Sequence, residues 1–486
     1  MMLRIRRIAV VVFAVLLAGA AARELTRLGD AAPWRAMDEL PDFYCAGAAV
    51  AGGASPYTYE PLRSCEHRVN SGSGFRARFF AGHPSFAVPA PQPPYDFLAF
   101  ALLSRMPFSA VRPIAVAAIL AAVALTVAAL GGLGISLALS SAALALSTAY
   151  VELNTGQVVP LSLLALTLCG LALARGRDAL AGVLAVIVAI EPTAGIPVVA
   201  ATLLYVPRAR VAAGATALAL LLISILLVGP AGVERYLGSV LPAHAASELR
   251  FPFQYSLTYV LAHFGASAPV AIAAGGISYV VLLAIGLTFA PRSAAALARR
   301  ELLVFVPALC AVIGGEFLHQ EELCFAIPAL LVFAANAQRF RTLAAFALCL
   351  LAIPWILVWS TAQLILPSLF VCFLILNRLR VEVWAGIGIF CCIAAALYAL
   401  ELHPARLPVP AASSRVYAPD ALVQSEWRDY AAARATGDPL WFAIKLPAWI
   451  ALLAALATAA RMSFRPPPAS APSPESLHAR LHPPQA

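Results

Sequence analysis

The sequence predicts an all-α, polytopic membrane protein, and three observations carry that prediction. Hydrophobic residues make up 62% of the 486 and charged residues 12%, where soluble domains hold about 25% charged residues. Nearly uncharged runs long enough to cross about 30 Å of hydrocarbon recur from end to end. Small arginine clusters punctuate those runs, the pattern of cytoplasmic connections in a multi-span chain.

Residues 1–22, MMLRIRRIAVVVFAVLLAGAAA, have a basic start, an apolar core and small residues. Either a cleaved signal peptide or a retained helix reads this way. Retention as a first transmembrane helix, with Arg4, Arg6 and Arg7 inside, fits a chain that later spans commit to the membrane. Residues 23–111 follow as an external segment with interfacial helices.

A multi-span domain is expected over 112–462. Its apolar runs cover about 113–131, 133–151, 158–174, 180–206, 211–229, 267–290, 302–318, 323–337, 342–358, 362–376, 382–400 and 443–460. Counting broken ones, about 12–14 transmembrane or half-spanning helices are expected. Arg175/Arg177, Arg208/Arg210, Arg292/Arg299/Arg300, Arg339/Arg341, Arg378/Arg380 and Arg461/Arg465 should all be cytoplasmic.

Single crossings meet that demand everywhere except at 180–206, which has basic clusters on both sides. Glu191-Pro192-Thr193 interrupts this run, and proline there lets two short helices return the chain to the side it left. A kinked single span is the alternative. With the hairpin, the loops near 230–266 and 401–442 fall outside with the first one, both termini are cytoplasmic, and the proline-rich 463–486 reads as a disordered tail.

The formal charge of +9 does not indicate a nucleic-acid partner, because the arginines line no single face. Seven of the nine cysteines lie in or beside apolar runs, where cysteine acts as a small hydrophobe. Cys45 and Cys65 share the first polar loop and can pair if it lies in an oxidising compartment; spacing leaves both states open. Lys445, the single lysine, reads as coding bias.

Chemistry, if any, belongs in the external loops. The first contains MDELPDFYCAGAAVAGGASPY, with Asp38, Glu39 and Asp42 soon after the first span. Further on come Gly53-Ala54-Ser55-Pro56-Tyr57, Pro93-Pro94-Tyr95, Leu153-Asn154-Thr155-Gly156-Gln157, Arg175-Gly176-Arg177-Asp178, Gln254-Tyr255-Ser256-Leu257 and Glu316-Phe317-Leu318-His319-Gln320-Glu321-Glu322. In this order the elements resemble glycosyltransferase family 87, over about residues 30–335. The chain departs from the family pattern at Glu191-Pro192, where a lysine usually precedes the proline.

The resemblance implies a GT-C-like fold and an enzyme that moves a hexose, with mannose favoured, from a polyprenyl-phosphate donor to a glycolipid or cell-envelope glycan on the external face of the cell's inner membrane. Membrane lipid is its surroundings. No cofactor is expected, the donor being a lipid-linked sugar phosphate. The phosphate leaves as a stable anion, so one carboxylate suffices to take the acceptor's proton, and the resemblance gives that role to Asp42 with inversion at the anomeric carbon. His319, Gln157, Gln254, Tyr57 and Tyr95 are the expected substrate contacts. For each a structural role is the alternative: a solvated acid, an interfacial or capping histidine, a loop amide. His319, Glu321 and Glu322 do not have a recognised metal-ligand spacing. A transporter or flippase, with Asp42 and Glu191 lining a pathway, is the rival reading; a catalytically silent scaffold of the same fold is a third.

Overall fold

The computed structural model describes residues 2–28, 37–71, 75–403, 415, 417–436 and 438–464. The expected tail lies almost wholly outside them, as does part of the 401–442 loop. Among the described residues the fold is all helical, with one isolated antiparallel bridge between Thr58 and Leu422.

Among the described residues, five helices are long and apolar enough to cross a membrane: Phe108–Gly132, Pro207–Glu248, Ala268–Leu297, Val383–Leu402 and Pro439–Ser463. Glu321–Asn336 and Gln338–Leu351, bent by 118° at their junction, make a sixth if taken as one span. The other expected runs are shorter helices, among them Val159–Ala174, Asp178–Ile190, Pro192–Tyr205, Leu302–Ala311 and Ala362–Arg378. The run expected over 302–318 is helical only to Ala311, and Gly315, at φ 135°, turns the chain. The expected loop at 230–266 is helical through Glu248, interrupted at Gly229 (φ 74°) and Pro230. Met2–Arg27 forms one helix and lies against Ile365–Arg378, with Phe13 edge-on to Phe373.

The connections sort to two ends of the bundle. At one, Arg300 pairs with Asp178 at 2.9 Å, and Arg299 donates to the Leu133 carbonyl at 2.7 Å and bonds Glu301. At the other, the amides of Asp38 and Glu39 donate to the carbonyls of Asn154 and Thr155 at 3.0 and 2.8 Å. Residues 137–155 run from the first end to the second, so one end is rich in arginine and the other in carboxylates.

The break at Glu191 lies at the carboxylate end. Glu191 is extended (φ −113°, ψ 97°) and Pro192 starts the next helix. A break inside an apolar bundle strands carbonyls, and each must find a donor. Ser162 donates to Val188 at 2.7 Å, Tyr95 to Ala189 at 2.6 Å and Tyr279 to Thr193 at 2.9 Å. The chain then returns: a Cβ on Gly182 would stand 2.4 Å from the carbonyl oxygen of Ala209. Residues 178–205 are thus a hairpin of two short helices.

Over the carboxylate end lie Leu40–Ala51, Tyr59–Val69 and Phe97–Leu103 from the first polar segment, and Gln424–Arg434 from the last. The two segments join through backbone bonds: Tyr59 to Ala421 at 2.8 Å, Glu60 to Pro419 at 2.9 Å and Val423 to Tyr57 at 3.1 Å. Cys45 and Cys65 form a disulfide that ties Leu40–Ala51 to Tyr59–Val69.

Candidate active site

Glu39 precedes, and Asp42 falls in the first turn of, the helix Leu40–Ala51. A helix N-terminus favours negative charge, and Pro41, which lacks an amide hydrogen, costs nothing in that turn. Asp42 is 1% exposed, its amide donating to the Glu39 carbonyl at 3.0 Å.

From Glu39 a polar network crosses the carboxylate end. The Gln157 amide nitrogen donates to Glu39 and, at 2.8 Å, to Oε1 of Glu321. That oxygen stands 3.9 Å from His319 Nδ1. The other ring nitrogen, Nε2, is 2.8 Å from the Gln254 amide nitrogen and 3.3 Å from Glu248 Oε2. Gln254 Nε2 also donates to Glu248 at 3.0 Å, and Trp427 Nε1 donates to the second Glu248 oxygen. Glu322 accepts from the His319 amide. Gly156, in the left-handed region at φ 81°, turns the chain where Gln157 enters; a Cβ there would stand 2.9 Å from Leu40 Cβ.

Burial raises Glu39 well above the usual carboxylate range, and Glu321 and Asp42 push it further while His319 and Gln157 oppose. For His319, burial works against the charged ring; the hydrogen bond and charge of Glu248, then Glu321 and Glu322, outweigh it and hold the ring well above the usual histidine range. The site combines a Glu39 carboxyl that favours the protonated form with an imidazole that favours the charged one and, beside it, a Glu248 carboxylate that the ring holds below the usual range against its burial. The protonated carboxyl and the charged ring can both donate hydrogen bonds to an anion.

Of the residues singled out in the sequence, the fold joins Gln157, Gln254 and His319 in this network, with Asp42 one helical turn from its Glu39 end. Tyr57 and Tyr95 are set apart. Tyr57 is 1% exposed, donates to the Gln92 carbonyl at 3.0 Å and stacks on Tyr236. Tyr95 caps the broken hairpin, close enough to Glu191 to feel its charge. Sequence reasoning missed Glu248 and Trp427 as network members and gave Glu39 and Glu321, which stand in its quoted motifs, no substrate role. Trp427 had a signal: SEWRDY is a polar, aromatic stretch in an apolar last third. Among the described residues no three His, Cys, Asp or Glu are arranged to hold a metal ion.

The model of glycosyltransferase family 87 matches residues 92–313. No curated protein and no solved structure matches the chain. Asp42, His319 and Trp427 lie outside the matched stretch, whereas Gln157, Glu248 and Gln254 lie within it. Residues 92–313 of this all-helical membrane bundle thus carry a glycosyltransferase family 87 domain.

Proposed function

We propose that the protein transfers a hexose, with mannose favoured, from a polyprenyl-phosphate donor to a glycolipid or cell-envelope glycan at the external face of the membrane, with inversion. Asp42 takes the proton of the acceptor hydroxyl as its oxygen bonds to the anomeric carbon. The bond from that carbon to the phosphate oxygen breaks, and its electron pair leaves on the lipid phosphate. His319 donates a hydrogen bond to the departing anion, where preorganised donors stabilise developing charge most. The observation that carries this reading is the network itself, which gathers Gln157, His319 and Gln254 from distant parts of the chain beside the turn that bears Asp42.

The carboxylate end is the external one in this reading and the arginine-rich end cytoplasmic, with both termini inside. The positive-inside rule supports that orientation, and so does the Cys45–Cys65 disulfide, since such bonds persist in oxidising compartments.

The test is transfer from radiolabelled polyprenyl-phosphate sugars to a membrane lipid extract by purified protein in lipid. A labelled product from the mannosyl donor is expected. Asp42→Asn should lose about 10²- to 10⁴-fold in rate, the usual worth of a general base. Undiminished transfer by Asp42→Asn removes the base assignment. Absence of transfer with every donor, or passage of intact substrate across vesicles, overturns the polyprenyl-phosphate reading.

A further inference from the structure

The orientation of His319 is fixed by its neighbours in a way that selects which ring nitrogen works. The Leu318 amide donates to Gln254 Oε1 at 2.8 Å, which pins the Gln254 side chain: its oxygen faces the backbone and its nitrogen faces the ring. That nitrogen carries two hydrogens, and two acceptors stand at hydrogen-bond distance, Glu248 Oε2 at 3.0 Å and His319 Nε2 at 2.8 Å. A neutral imidazole that accepts at Nε2 carries its proton on Nδ1. A charged imidazole carries one on each nitrogen, with Glu248 the acceptor for Nε2 at 3.3 Å. Nδ1 bears a hydrogen in both states.

Nδ1 is also the nitrogen left open. Glu321 Oε1 is 3.9 Å from it, beyond hydrogen-bond distance, and the His319 side chain keeps 18% of its surface exposed. Glu248 is 2% exposed and Gln254 1%, so the pair at Nε2 is sealed from substrate.

We infer that Gln254 and Glu248 are positioning residues which occupy His319 Nε2, so that Nδ1–H is the hydrogen-bond donor His319 presents to the lipid phosphate. The sequence reading made Gln254 a substrate contact; here it acts through His319 instead. Trp427, bonded to the far oxygen of Glu248, belongs to the same support and extends it to a segment beyond the family match. The inference rests on the proposed role of His319 toward the donor phosphate.

Two isosteric replacements separate the ring nitrogens. Asparagine places its amide nitrogen near the position of Nδ1 and glutamine near that of Nε2. His319→Asn should therefore keep more transfer activity than His319→Gln, which should lose on the order of 10²-fold, mainly in kcat. Glu248→Gln and Gln254→Leu should each lose roughly tenfold through misplacement of the ring. A ¹⁵N spectrum of histidine-labelled protein in lipid vesicles, assigned by difference with His319→Gln, should show His319 Nδ1 protonated. Adding polyprenyl phosphate alone to those vesicles should move the Nδ1 signal and, in Gln254→Leu, move it less.

An Nδ1 without a proton, a phosphate-induced shift confined to Nε2, or greater activity in His319→Gln than in His319→Asn each overturns the inference. The spectra need no sugar transfer, so they decide it even if no donor proves to be a substrate. In that case the proposed reaction fails while the ring's orientation stands or falls separately.

Discussion

Glu426 shows how a single carboxyl on the outer layer is tied to the fold. It is 4% exposed and accepts from the Ala87 amide, while Glu66, also buried, accepts from the Val88 amide at 2.9 Å. Tyr59 donates to the Ser85 carbonyl at 2.6 Å, so three side chains hold residues 85–88 against the site's cover. Burial pushes the Glu426 carboxyl up to about 8, against the Ala87 amide and with Asp429 adding to the rise. The unfolded carboxyl ionises near 4.5, so the folded protein holds a proton that the unfolded chain has released between there and about 8. Stability falls as pH rises through that window and levels off above it. Glu426→Gln removes this dependence, and its melting temperature in detergent should gain a few degrees on wild type between pH 5 and pH 8. An unchanged gap across that range contradicts the assignment.

Among elements, the contact between Leu40–Ala51 and Phe97–Leu103 controls how Asp42 is held. Gly47 sits against Phe100 so closely that a Cβ would come within 2.4 Å of its carbonyl carbon, and Phe43 stacks on the Phe100 ring. Backbone cannot yield as a flexible side chain does. Gly47→Ala should cost about 1–3 kcal/mol and lower the melting temperature, with transfer activity falling as the first turn shifts. The disulfide acts on the same helix: Cys45 and Cys65 are 20 residues apart, a closure worth about 3 kcal/mol. Cys45→Ser/Cys65→Ser should melt lower, and reduced wild type should match it. Replacing both residues without any change in melting would show that the helices hold without the link.

Much at this scale was legible in the sequence. The proline break at Glu191 follows from Pro192, and the hairpin follows from basic clusters on both sides. Helix lengths were less legible: Gly315 ends the 302–318 run early, and Gly229 with Pro230 bends a 42-residue helix that hydropathy divided into span and loop. The network was half legible. Gln157, Gln254, His319 and Glu321 stand in motifs and Glu39 beside Asp42, whereas Glu248 acquires meaning only when distant segments meet, because an isolated acidic residue beside a membrane reads as solvated. No motif announces Trp427 as a partner of Glu248, which lies 179 positions earlier.

For the whole molecule, the segregation of charge gives a test of orientation. The proposed topology puts Arg208 on the cytoplasmic side, since residues 178–205 return to the end they leave. In an otherwise cysteine-free background, Arg208→Cys in intact cells should resist a membrane-impermeant thiol reagent and react after permeabilisation, and a cysteine at Ser71 should do the reverse. Labelling of Arg208→Cys in intact cells would reverse the map for the spans that follow.

The last crossing helix has a separate consequence. Lys445, the only lysine in the chain, is fully buried near its start, with Nζ 3.3 Å from the centre of the Tyr259 ring. The side-chain amine chemistry of the folded protein is therefore silent: an amine-directed reagent has no lysine to find. Once this helix leaves Tyr259, one reactive group emerges at a known position. The protein carries a single-site reporter of the opening of its final span, readable by the mass the reagent adds.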